Sequence, residues 1–94
     1  MRASENKFLD DVRDGKIDKV RKLLDRGASP NTKRDNGFTA LHIACQHGDL
    51  DMAQLLIDRG ADIEATTTAK VTPLFNASGA GDLAVVRLLS LIHI

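Results

Sequence analysis

Thr39-Ala40-Leu41-His42-Ile43-Ala44 returns in altered form as Thr72-Pro73-Leu74-Phe75-Asn76-Ala77, 33 residues later. The same interval separates Gly15, Gly48 and Gly81, which open the phrases Gly-Lys-Ile-Asp, Gly-Asp-Leu-Asp and Gly-Asp-Leu-Ala. It also carries Leu23-Leu24-Asp25-Arg26-Gly27-Ala28 onto Leu56-Ile57-Asp58-Arg59-Gly60-Ala61. A fixed period of this size marks a stack of small units, each too small to bury its own apolar face.

Each unit holds two short helical patterns. In the second, Ile17, Val20, Leu23 and Leu24 lie at i, i+3, i+6 and i+7, which is one stripe of a helix. Leu50, Ala53, Leu56 and Ile57 repeat the stripe, and Leu83, Val86 and Leu89 begin it again. Gly27 and Gly60 follow directly, where a left-handed residue ends a helix. Asp49 and Asp82 stand at the helix starts, where a negative charge meets the positive dipole end. The first pattern is shorter: Phe8, Leu9 and Val12, then residues 40–47, then residues 73–80. Segments 27–38 and 60–71 contain Gly, Asn, Asp and Thr, and are expected to form turn-rich extended loops.

Thr39-Ala40-Leu41-His42-Ile43-Ala44, Gly48 and Leu55-Leu56-Ile57-Asp58-Arg59-Gly60-Ala61-Asp62 resemble the ankyrin repeat, whose signature is T-P-L-H-x-A on a 33-residue unit. Thr72-Pro73-Leu74 restores the proline that Ala40 lacks, and the resemblance runs from about Ser4 to Leu89. It implies an all-α ankyrin-repeat solenoid of stacked helix-turn-helix units with projecting hairpin loops. The units would be an N-terminal capping repeat at 4–33, a full internal repeat at 34–66 and a truncated third repeat at 67–89. The third departs from the pattern: Lys70 stands where Gly37 stood in the hairpin turn, Phe75 replaces the histidine, Asn76 replaces an apolar position, and Glu64 takes the place of Asn31.

The first unit carries charge where the second is apolar. Lys19 and Lys22 become Met52 and Leu55, then Val85 and Leu88; Lys7, Asp10 and Asp11 become Ala40, Ile43 and Ala44. A terminal unit has water on one side, so residues 4–33 are expected to cap the stack, with Met1 expected near a genuine N-terminus. No such device ends the chain. The repeat match fails at Ser90-Leu91-Ile92-His93-Ile94, where a serine falls on the position of Ile57. The string Leu89-Ser90-Leu91-Ile92-His93-Ile94 resembles the translated end of a transposase adapter used in preparing DNA libraries. Residues 90–94 are therefore expected to be a non-native tail, the alternative being a degenerate terminal helix. Without a following repeat, Val85, Leu88 and Phe75 should face water, leaving the chain marginally stable and frayed beyond about residue 70.

Composition excludes several functions. Thirteen basic and thirteen acidic residues balance, so no overall field exists to hold nucleic acid or an anionic membrane. Residues 1–36 carry ten basic and seven acidic side chains against three and six in the remainder, a gradient too weak to name a partner. One cysteine excludes an internal disulfide and fits a reducing compartment. The first twenty residues lack the apolar core of a secretion signal, and no segment approaches the ~20 apolar residues that span a bilayer. A cytoplasmic location is expected.

Chemistry finds little support. His42, Cys45 and His47 cluster on one short helix, yet His47 lies five residues from His42 and points elsewhere, and zinc needs at least about three protein ligands. The resemblance implies instead a structural hydrogen bond between His42 and the Thr39 region, with Cys45 packing as a small apolar residue. No nucleophile elbow, phosphate loop or two-histidine zinc helix is present. Gly79-Ala80-Gly81 reads as a tight helix-to-helix turn, and Asp10, Asp11 and Asp14 as a solvated cap surface. Neither catalytic residue, metal nor cofactor is expected, and the chain is not expected to be an enzyme.

Surface recognition remains. In ankyrin proteins the loop tips and inner-helix surface form a concave binding face. By matching positions it comprises Lys33, Asp35, Asn36 and Phe38 in the second unit's hairpin, with Gln46 and His47 on its helix. In the third unit it comprises Thr66, Thr68, Ala69 and Val71, with Gly79 and Ala80. Phe38 has two readings, a binding hot spot at a projecting tip or a ring packed on the neighbouring hairpin. The expected partner is a protein, with no nucleic acid, membrane or small-molecule substrate, and the chain would act as scaffold, adaptor or inhibitor. The alternative is the N-terminal targeting arm of a longer enzyme or channel.

Overall fold

Among the described residues six short helices carry the apolar stripes, in the order α1 (Ala3–Arg13), α2 (Ile17–Asp25), α3 (Ala40–Gln46), α4 (Leu50–Asp58), α5 (Pro73–Ala80) and α6 (Leu83–Ile92). The computed structural model describes residues 3–80 and 83–92. Each unit is a helix pair: α1 packs on α2, α3 on α4 and α5 on α6. The pairs stack in two rows, α1–α3–α5 and α2–α4–α6, with the first row in closer contact. Among the described residues the only extended pairing outside helices is the antiparallel bridge Lys33–Thr39.

Local chemistry sets the boundaries. Gly60 has φ 96° and ends α4 by donating its N–H to the Ile57 carbonyl at 3.0 Å, while Ala61 donates to Leu56 at 2.9 Å. Only glycine takes that left-handed backbone without a Cβ penalty, and Gly27 repeats the turn after α2 at φ 103°. The Asp49 carboxylate caps α4 by accepting the Met52 N–H at 3.1 Å. The Thr72 hydroxyl accepts the Phe75 N–H at 3.3 Å, and Pro73 fills the first helical position, where an N–H is dispensable. The matching cap residue of α6, Asp82, lies outside the described residues.

Phe8, Leu9, Val12, Val20, Leu41 and Met52 form a continuous core with Leu56, Ala77, Val85 and Leu89. The alternation seen in the sequence has a packing meaning. Lys19 is exposed, whereas Met52 and Val85 at the matching positions are fully buried. Burying one such side chain stabilises the stack by about 1.5–3 kcal/mol. Between units, Arg59 on the α4 side meets Asp25 at the end of α2 at 2.7 Å.

Three expectations need correction. Val85 does not face water: it has no exposed surface, Leu88 is half-buried, and only Phe75 of that trio is exposed. Asp11 is not on a solvated surface. It shares its helix face with Phe8 and Val12, is 2% exposed, and receives the Lys7 ammonium at 3.7 Å. Gly79 does not form a turn; it lies within the last turn of α5, and Gly81 falls outside the described residues. α6 continues beyond the last residue of the repeat match. Leu89 is buried, Ser90 is exposed, and α6 runs on to Ile92.

Candidate functional site

The two loops between units fold into short hairpins with the same backbone design. In the first, Arg34 donates to the Phe38 carbonyl at 3.0 Å and Gly37 to the Arg34 carbonyl at 2.8 Å. The Asn36 side chain tightens the turn by accepting the Phe38 N–H at 3.0 Å. In the second, Thr67 donates to Val71 at 3.1 Å and Lys70 to Thr67 at 2.8 Å. The buried Thr67 hydroxyl accepts from Ala69 and Val71 at 3.2 and 3.3 Å.

The hairpins lie side by side. The Thr68 N–H donates to the Asn36 carbonyl at 2.8 Å, a direct backbone tie between consecutive tips. Gly37 permits the approach: a Cβ there would stand 3.0 Å from Thr67 Cα and 3.2 Å from the Thr66 carbonyl, on a backbone with φ 81°. A second tie joins the loop bases, where Asn31 accepts the Asp62 N–H at 2.7 Å and donates to Gly60 at 3.4 Å.

His42 locks the hairpins to the helices. Its Nε2 lies 2.7 Å from the Val71 carbonyl, which can only accept, so Nε2 carries the proton. Nδ1 then accepts the Thr39 N–H at 3.2 Å and faces the Thr39 hydroxyl at 2.7 Å. Thr39 in turn caps α3 by accepting the His42 N–H at 3.3 Å. Burial without a counter-charge lowers the His42 pKa from its ordinary 6.5, against a smaller upward pull from the Val71 carbonyl. With both ring nitrogens engaged, and Cys45 fully buried while His47 is exposed, the three do not converge. Among the described residues no three His, Cys, Asp or Glu side chains are placed to hold a metal ion. Nor is any described helix long and apolar enough to cross a membrane.

Around this lock the candidate residues are distributed as follows. Lys33, Asp35 and Asn36 are exposed on the first hairpin, and Thr66, Thr68 and Ala69 on the second. Val71 is half-buried. Phe38 is half-buried too and packs its ring on His42, with centroids 5.2 Å apart and planes 34° apart. Gln46 and His47 are exposed at the end of α3, and Gly79 is exposed on α5; the Ala80 side chain lies outside the described residues. Thr68 and Asn36 are thus in direct contact, while His47 and Phe38 occupy opposite ends of the α3 segment.

Sequence reasoning missed two residues. Between α3 and α5 opens a cleft of about 320 Å³ lined by Gln46, Phe75, Asn76 and Gly79. Phe75 is 66% exposed, although its counterpart His42 is fully buried. Asn76 donates to the His42 carbonyl at 3.4 Å. Both were visible as departures from the repeat pattern, and Phe75 was expected to face water; what the sequence did not give is that the two border one cleft with Gln46 and Gly79.

Comparison with known proteins adds a lineage to this geometry. A family model described as ankyrin repeats, three copies, matches residues 8–93. An ankyrin repeat-containing protein of Schizosaccharomyces pombe is 51% identical over 35 residues, which is 37% of this chain. The matched stretch spans 17% of that relative's length.

Proposed function

The chain belongs to the ankyrin repeat family, and on that premise we propose that it binds a partner protein, without chemistry, through the face made by its hairpin tips and first helices. Ankyrin repeats are in general protein–protein interaction modules; the role of scaffold, adaptor or inhibitor is our reading for this chain. The observation that carries it is the backbone tie from Thr68 to Asn36. It holds two fingers in fixed relation while Asp35, Thr66, Thr68 and Ala69 keep their side chains in water. A surface ordered before binding loses little conformational entropy on association. In this reading Gln46 and His47, exposed at the end of α3, belong to the same face.

Affinity capture with quantitative mass spectrometry tests this. The chain is compared with an Asp35→Lys, Thr68→Lys double variant and with Lys19→Glu, which alters exposed α2 instead. Partners lost only with the double variant support the reading. A captured set indifferent to the tips, or lost with Lys19→Glu, defeats it.

A further inference from the structure

Of the four asparagines, Asn6, Asn31 and Asn76 precede Lys7, Thr32 and Ala77, and only Asn36 precedes a glycine. The peptide nitrogen that follows an asparagine can attack its side-chain carbonyl carbon and close a cyclic imide. A side chain on the attacking residue hinders that approach, and glycine has none. Asn36 is exposed at the tip of the first hairpin. Its side-chain carbonyl turns back along the chain to accept the Phe38 N–H at 3.0 Å, which folds the amide over the Gly37 peptide. The same N–H would steady the negative charge that gathers on this oxygen during attack. One bond opposes the reaction. Gly37 donates its N–H to the Arg34 carbonyl at 2.8 Å and must be released before a base can take the proton. This is a single turn bond at an exposed tip, the kind of contact that opens locally while the rest of a fold stays intact.

We propose that Asn36 is a site of self-modification, where the hairpin converts without an enzyme to an isoaspartyl linkage that severs the tie between the two tips. The Gly37 nitrogen gives its proton to hydroxide and bonds to the Asn36 side-chain carbonyl carbon. The bond from that carbon to the amide nitrogen breaks, and ammonia leaves with a proton taken from water. The resulting succinimide then adds one water molecule. Opening at the side-chain carbon gives aspartate in an unaltered main chain. Opening at the main-chain carbon gives isoaspartate, in which the chain runs on through the former side chain. The oxygen that accepts the Thr68 N–H at 2.8 Å then belongs to a free carboxylate beside the main chain, and the chain is one atom longer before Gly37. The close seat has no room for that atom: even a Cβ on Gly37 would stand 3.0 Å from Thr67 Cα and 3.2 Å from the Thr66 carbonyl. The hairpins must part. This goes beyond the protein-binding reading, and its chemistry holds whether or not the face takes a partner.

The full chain is incubated, folded, in neutral and mildly alkaline buffers, and its peptides are mapped by electron-transfer fragmentation, which distinguishes isoaspartate from aspartate. Isoaspartate should accumulate at Asn36, faster at the higher pH, and not at Asn31 or Asn76. Asn36→Gln, whose longer side chain disfavours the ring, should abolish it. The isoaspartyl form is then separated by ion exchange. Its Thr68 amide should exchange hydrogen about ten-fold faster than in the unmodified chain, as expected for the loss of one backbone hydrogen bond. Asn36→Asp carries the same added charge on an unaltered main chain, and should keep Thr68 protected. Absence of isoaspartate at Asn36 in the folded chain overturns the inference. An isoaspartyl form whose Thr68 amide stays protected overturns it too, because the tie then survives the new linkage. Equal loss of protection in Asn36→Asp also overturns it, since charge alone would then part the tips.

Discussion

Gly37 and Lys70 occupy the same place in successive hairpins, and both have left-handed backbones, at φ 81° and 64°. The turn imposes the conformation, and the third unit adopts it with a residue that carries a Cβ. Lys70→Gly should raise stability by about 1 kcal/mol, since a non-glycine residue disfavours that region by about this much. The reciprocal Gly37→Lys should cost more, because its Cβ would also press on Thr67 Cα at 3.0 Å. Urea unfolding midpoints of the two variants, moving in opposite directions, would check this.

The His42 lock predicts an acid-sensitive fold. Its pKa is lowered in the native state by burial, so below pH 6.5 the unfolded chain takes up the proton first. The contribution of His42 is therefore complete above pH 6.5 and is lost as pH falls, at up to about 1.4 kcal/mol per unit, until the folded pKa is passed. His42→Phe, which copies Phe75, should cost about 2 kcal/mol by leaving the Thr39 N–H without its acceptor and taking from the Val71 carbonyl one of its two donors, the other being the Thr67 N–H. It should also flatten this part of the pH profile. Unfolding free energies measured from pH 5 to 8 would show both effects.

Asn31 serves two backbone groups of the following loop, and its removal should be felt there. Asn31→Ala should destabilise the chain by about 1 kcal/mol and speed hydrogen exchange at the Asp62 amide. Asn31→Asp keeps the acceptor for Asp62 and should restore most of that amide's protection. Exchange rates read by NMR separate the outcomes.

Gly79 sits in a helix with open space where a Cβ would go. Gly79→Ala should stabilise the chain by about 0.5–1 kcal/mol by removing glycine's backbone entropy. A thermal melt is enough to check it.

The stacked-helix architecture was legible because its signals are local and recur. Gly27 and Gly60 mark helix ends whatever surrounds them, and the Val20 to Leu24 and Ala53 to Ile57 stripes carry their own period. What escaped depends on neighbours. Asp11 looks like a cap charge, but it shares a helix face with Phe8 and Val12, so packing buries it. Val85 was expected to face water for want of a following repeat, yet its side chain is covered. Gly79 read as a turn because Gly81 follows closely, although α5 continues through it. For the binding face, each finger could be placed from the sequence. The tie from Thr68 to Asn36 joins backbone atoms of residues 32 apart, and nothing in either side chain announces it. Phe75 was expected to face water and does, but its place in one cleft with Gln46, Asn76 and Gly79 follows from how α3 and α5 stack.

That tie runs from main chain to main chain, so the residues at Asp35, Thr66, Thr68 and Ala69 have little part in keeping the architecture upright. Drift at these four places can then redirect the chain toward a new associate while the scaffold beneath is inherited unchanged. Conservation of sequence and constancy of target need not travel together here: the frame is the heirloom, and the fingertips are open to revision.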